Sequence, residues 1–122
     1  MTIAEAIEQV DVLRRNHYGQ KEKIAWLSRL DHRVKHKIID THEGGKDIAF
    51  AGYDENTSLD TEMLIPAPYD EMYLSYLVAQ IEYYDQQEDR YNNAIDLFQS
   101  VWNDFAYWYN RTHMPLGSRL RF

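Results

Sequence analysis

His32 and His36 stand four residues apart, so on a helix both imidazoles would share one edge and Asp40 would continue it. That spacing can hold a divalent cation. The neighbourhood opposes it: Arg33, Lys35 and Lys37 crowd the pair with positive charge, no HExxH pattern occurs, and the chain has no cysteine to supply a thiolate. Asp70-Glu71 and Glu88-Asp89 are paired carboxylates of the kind used in general acid–base chemistry. Such work needs a desolvating cleft, which their spacing does not imply, and the same acids at helix starts simply offset the macrodipole. Gly44-Gly45 lacks the downstream lysine and hydroxyl of a phosphate-binding loop. The expectation is a protein that is not an enzyme and carries no metal or cofactor.

A different chemistry is available to Arg29, Arg33 and Lys37, which fall on one helical face as in a nucleic-acid-binding helix. The rest of the chain argues against free nucleic acid as the principal partner. Its 122 residues carry a net charge of -7, and a pI near 5.1 is far from the basic excess of phosphate-neutralising domains. The charge is segregated: residues 14–37 hold eight bases against Glu22 and Asp31, whereas residues 40–104 hold fifteen acids against Lys46 and Arg90. A surface with one positive and one negative side lets identical subunits attract head to tail. A neighbour's acidic helix is the better partner for the basic face.

The elements that must position these residues are mainly helical, and 44% hydrophobic with 14% aromatic residues is enough for one packed core. Thr2 with Glu5 makes a capping box, followed by Ile3, Ala6, Ile7, Val10 and Leu13 at helical spacing. A second helix over about 20–42 carries the stripe Ile24, Leu27, Leu30, Val34 and Ile38 and stops at Gly44-Gly45. From about 45 to 68 the texture changes to alternating and turn-like residues, consistent with a short β-hairpin or an extended excursion, ended by Pro66-Ala67-Pro68. A third helix from Tyr69 to about Asp85 is apolar around most of its circumference, with Glu71, Ser75 and Glu82 as its polar strip. A fourth carries Ala94, Ile95, Leu97, Phe98, Val101, Trp102, Phe105 and Tyr109. So much apolar surface favours burial between subunits. No stretch resembles a signal peptide or a membrane span, which points to synthesis in the cytosol and no membrane partner.

After Thr112, Pro115 and Gly117 end regular helix, and Leu120 and Phe122 then alternate with Arg119 and Arg121. The expected organisation is a four-helix bundle-like domain over 1–112, with the 45–68 insertion, and an extended carboxyl-terminal arm over 113–122.

Several segments together carry a resemblance: Trp26-Leu27-Ser28-Arg29-Leu30, Ile39 to Gly44, Phe50-Ala51-Gly52-Tyr53-Asp54, Leu64 to Asp70, Arg90-Tyr91-Asn92-Asn93, and Trp108 to Pro115. Over nearly the whole chain they resemble small structural proteins encoded by prophages of Gram-positive bacteria, and in architecture the head-tail connector (adaptor) proteins of long-tailed phages. The resemblance implies a ring of about twelve copies docked on the portal protein, facing a tail-side neck protein. The genome would pass through without sequence-specific binding, in a virion neck assembled in the host bacterial cytoplasm. It further implies a portal-binding arm of Met114, Pro115, Leu116, Arg119, Leu120, Arg121 and Phe122. Contacts between subunits would run from Arg29, Arg33 and Lys37 to Glu71, Glu82 and Asp96, and Phe50, Tyr53, Leu64 and Ile65 would touch a neighbouring ring. The alternative is a DNA-binding or packaging accessory protein using the basic face of the second helix.

Overall fold

The computed structural model describes residues 1–117; Arg119, Leu120, Arg121 and Phe122 lie outside the described residues. Four helices form the body: α1 (Ile3–Leu13), α2 (Gln20–Lys37), α3 (Met72–Tyr84) and α4 (Glu88–Thr112). Ring contacts fix their directions. Tyr69, Tyr76 and Tyr83 meet Phe105, Phe98 and Tyr91 in turn, at 5.8, 5.4 and 5.6 Å, so α4 runs back along α3. Trp26 stacks on Tyr84 and Arg33 lies over Phe98 and Trp102, which sets α2 antiparallel to α3 and alongside α4. The Met1 ammonium lies 3.5 Å from Asp70 while Arg14 pairs with Asp85 at 3.1 Å, so α1 runs parallel to α3.

The core follows the stripes expected from periodicity, except that Leu13 of the first stripe and Leu97 of the fourth are exposed. Ile3, Ala6 and Val10 of α1, Leu27, Leu30 and Val34 of α2, and Phe98, Val101 and Phe105 of α4 close around α3, whose Met72, Tyr73, Tyr76, Leu77 and Ile81 are buried. The apolar circumference of α3 has its explanation here, because the helix lies at the centre with three others against it. Its polar strip is corrected: Ser75 and Glu82 are buried, and only Glu71 is exposed.

α2 ends at Lys37 rather than near residue 42, and a 3-10 turn over Ile39–Thr41 follows. Side chains take over the carbonyls that further helix would have used: the Thr41 hydroxyl donates to the Ile38 carbonyl at 2.8 Å, and His42 Nδ1 reaches the same oxygen at 2.6 Å. Gly44 then adopts a left-handed conformation at φ 78°.

Among the described residues no β-strand forms, so the excursion over 45–68 is not a hairpin; it begins with a 3-10 turn over Gly45–Asp47 and continues as irregular, turn-rich chain. Its carbonyls serve α1 instead of a sister strand. Ile3 and Ala4 donate their backbone N–H groups to the Thr61 and Leu59 carbonyls at 3.2 and 3.0 Å, while Glu5 N–H goes to the Thr2 hydroxyl oxygen. The otherwise unpaired first turn of α1 is thereby satisfied partly by its capping box and partly by the excursion. Where the excursion crosses α2, Gly52 sits at φ 90° so close that a Cβ would lie 2.7 Å from His32 Nε2. The positive φ favours glycine, and the bare Cα lets the exposed His32 ring lie against the chain.

The α3–α4 corner is a Schellman turn, with Gln87 N–H donating to the Glu82 carbonyl and Gln86 N–H to that of Tyr83. Gln86 occupies its left-handed position at φ 59°, where glycine is the usual residue.

Candidate interaction surface

α1 and α4 flank α3 without closing over it, which leaves an open furrow along the outer side of α3. Leu74 and Val78 are its half-buried floor. Val12 and Leu13 of α1 form one bank at 87% and 63% exposure, and Leu97 of α4 forms the other at 58%. Isolated exposed leucines are ordinary; apolar side chains from three helices lining one continuous hollow are not. Glu8 and Glu71 stand at the end nearer the start of α3.

Glu82 closes the other end. Its side chain is 2% exposed and accepts a hydrogen bond from Arg14 Nε at Oε1, whereas Oε2 has no hydrogen-bond partner. A buried carboxylate oxygen without a hydrogen-bond partner is an energetic cost at this end of the furrow. Glu82 was expected at the subunit boundary as an exposed acid. It lies instead at the floor of the furrow, already tied to Arg14. Glu71 is exposed on the rim and Asp96 is exposed on α4 beside Leu97.

The basic face of α2 is exposed. Arg29, Arg33 and Lys37 are all exposed, and the Arg33 guanidinium also lies 5.7 Å from the Trp102 ring centre and 5.9 Å from that of Phe98, a cation–π contact that leans it toward α4. His32 packs edge-on against Phe50 at 4.9 Å, and among the described residues no group of three histidine, cysteine, aspartate or glutamate side chains is placed to hold a metal ion.

Of the residues expected to touch a neighbouring ring, one is buried and three are half-buried. Ile65 is fully buried, and its N–H donates to the Tyr73 hydroxyl at 2.8 Å. Phe50, Tyr53 and Leu64 are half-buried. Tyr53 and Leu64 converge on Asp31, a wholly buried carboxylate that accepts from the Tyr53 hydroxyl, from the Tyr73 hydroxyl at 2.8 Å and from Leu64 N–H at 3.1 Å. Burial pushes the Asp31 carboxyl above its ordinary range, and the three donors only partly offset this. Burial beside the same charge pushes both tyrosine hydroxyls upward. This node fastens the excursion to α2 and α3, and it is structural.

Residues 114–116 fold back as a short extended piece. Glu43 N–H donates to the Met114 carbonyl at 2.8 Å and Leu116 N–H to the Thr41 carbonyl at 3.0 Å, forming an antiparallel bridge between His42 and Pro115. Beneath it His42 packs edge-on to Tyr109, on which His113 stacks at 3.8 Å. Met114 and Leu116, two apart on extended chain, are 47% and 52% exposed. They make an apolar knob held by backbone bonds, with Lys37 and Arg111 exposed on the neighbouring helix ends.

Reasoning from sequence missed the furrow and the Asp31 node. Val12 lies off the α1 stripe, which was a legible signal, whereas nothing in spacing linked Asp31 to Tyr53 and Tyr73. No protein-family model, curated protein or solved structure matches this chain. No helix among the described residues is long and apolar enough to cross a membrane.

Proposed function

We propose that this chain is a structural subunit that assembles with copies of itself, and that the assembly is the head-tail connector of a tailed phage. In this reading it is a ring that docks on the portal and extends the DNA channel toward the tail. The observation that carries the reading is the furrow of α1, α3 and α4: three helices hold an apolar hollow open to solvent, which association with another chain would remove from water. The segregated charge of the chain and the resemblance of its motifs give that association a direction and a setting. The activity is mechanical, and the residues that matter are contacts.

Sedimentation of the purified protein over a wide concentration range, together with mass analysis of phage particles, tests the reading. Concentration-dependent assembly and a fixed copy number in particles are expected. A chain that stays monomeric throughout and is missing from mature particles would refute it. The rival assignment, a DNA accessory protein, would use the exposed Arg29, Arg33 and Lys37, set against a net charge of -7 for the whole chain. Salt-sensitive retention of duplex DNA at physiological ionic strength would favour it.

A further inference from the structure

We infer that the Met114–Leu116 knob of one copy seats in the α1/α3/α4 furrow of the next, so that copies join head to tail; this rests on the self-assembly reading above. The two surfaces match in kind. The furrow offers an apolar floor and banks at Leu13, Leu74, Val78 and Leu97, with Glu8 and Glu71 on its rim. At its far end is the one buried side-chain oxygen, among the described residues, that lacks a hydrogen-bond partner, Glu82 Oε2. The knob offers two exposed apolar side chains already fixed by backbone bonds to 41–43, so little freedom is lost on docking. Lys37 and Arg111 are exposed on the neighbouring helix ends together with Glu43, and the furrow carries Glu8 and Glu71 together with Arg90, so the balance of charge is positive on the knob side and negative on the furrow side.

The knob cannot reach the furrow of its own copy. Leu97 and Thr112 are separated by fifteen residues of a single helix, about 22 Å at 1.5 Å per residue, and the bridge at 41–43 holds residues 114–116 at the distal end. A contact between two different patches on identical chains is heterologous; it repeats until it closes as a ring or continues as a filament. Portal attachment through the same residues, which the resemblance implies, is the competing use of the knob.

The test uses two variants of the full chain, Leu97→Asp in the furrow and Leu116→Asp on the knob. Both positions are more than half exposed, so each variant should keep the wild-type helical circular dichroism. Each alone should weaken self-association at least tenfold, read by sedimentation equilibrium. Mixed in equal amounts, they should form a one-to-one complex that grows no further, because one retains a sound knob and the other a sound furrow. If wild type assembles but Leu116→Asp assembles equally well, or the mixture yields no complex, the knob-in-furrow contact is wrong and the self-assembly reading survives. If wild type itself stays monomeric at every concentration, that reading fails together with the contact.

Discussion

Asp31 and Glu82 are both buried carboxylates, one on α2 and one on α3, yet their surroundings differ in the respect that separates structure from binding. Asp31 is surrounded by three donors brought from three parts of the chain, Tyr53, Leu64 and Tyr73. Glu82 has Arg14 on one oxygen and no donor on the other, and it stands where the packing opens into an apolar hollow. A saturated polar cluster inside a core specifies one arrangement of the chain. An unsaturated one specifies its surroundings less firmly, and here it borders exposed leucine and valine. The same residue class is thus fully supplied with donors at one site and short of one at the other.

The strongest way to break this contrast is Asp31→Ala. Removing the acceptor strands the Tyr73 hydroxyl and the Leu64 N–H in the interior and frees the Tyr53 hydroxyl, so unfolding by denaturant should show a loss of roughly 3–5 kcal/mol. Hydrogen exchange should quicken first in residues 50–65. A loss below about 1 kcal/mol would mean that the excursion is held by its apolar contacts alone. The node also has a pH signature. Because the Asp31 carboxyl is raised in the folded protein, the native state binds its proton more readily than the unfolded chain does. Its contribution to stability is therefore full below the ordinary aspartate range and is lost as pH rises through the folded value. The wild-type protein should lose stability relative to Asp31→Asn on going from acid to neutral pH. Asp11 behaves oppositely: burial raises its carboxyl, but the Lys23 ammonium at 2.7 Å and the Asn16 amide more than offset this and leave it low. Its contribution is present at neutral pH and lost as pH falls through the lowered value.

Glu82→Gln should cost much less, about 1 kcal/mol, since glutamine keeps an acceptor for Arg14 and Arg14 retains Asp85 at 3.1 Å. Its larger effect should fall on self-association, because the change removes the charge at the furrow end. If Glu82→Gln instead destabilises the monomer as much as Asp31→Ala, Glu82 is a fastening residue like Asp31, and the distinction between the two sites disappears.

Helix type and order were legible because the apolar stripes repeat at helical spacing: Ile24, Leu27, Leu30 and Val34 all reached the core. What stayed hidden depended on partners distant in sequence. Periodicity marks Glu82 as polar and therefore outward, but cannot show that Arg14, 68 residues earlier, comes to meet it. The 45–68 segment carries strand-like alternation, yet its carbonyls are taken by the first turn of α1, a competition settled only when both ends of the chain are in place. The early end of α2 has the same origin, in side chains of Thr41 and His42 that compete for backbone carbonyls. The furrow was half visible, since Val12 interrupts an otherwise one-sided helix and α3 is apolar nearly all round. Which of those apolar residues remain uncovered is a property of how three helices splay.

The smallest expected effect on stability is also the sharpest test of the contrast. Leu97→Asp replaces a side chain that is 58% exposed, so monomer stability should change by no more than about 0.5 kcal/mol, measured by denaturant unfolding at a concentration below assembly. The same substitution places a charge on the bank of the furrow opposite Leu13, where a docked apolar side chain would have to desolvate it. A residue that belongs to the fold loses stability and association together. A residue that belongs to an interface loses association while stability holds, and Leu97 should separate the two quantities more cleanly than any position on the Asp31 side of the molecule. If stability drops by 2 kcal/mol or more, roughly the cost of a core truncation, Leu97 packs more tightly than its exposure indicates, and the furrow is a shallow dent in the core rather than a surface awaiting a partner.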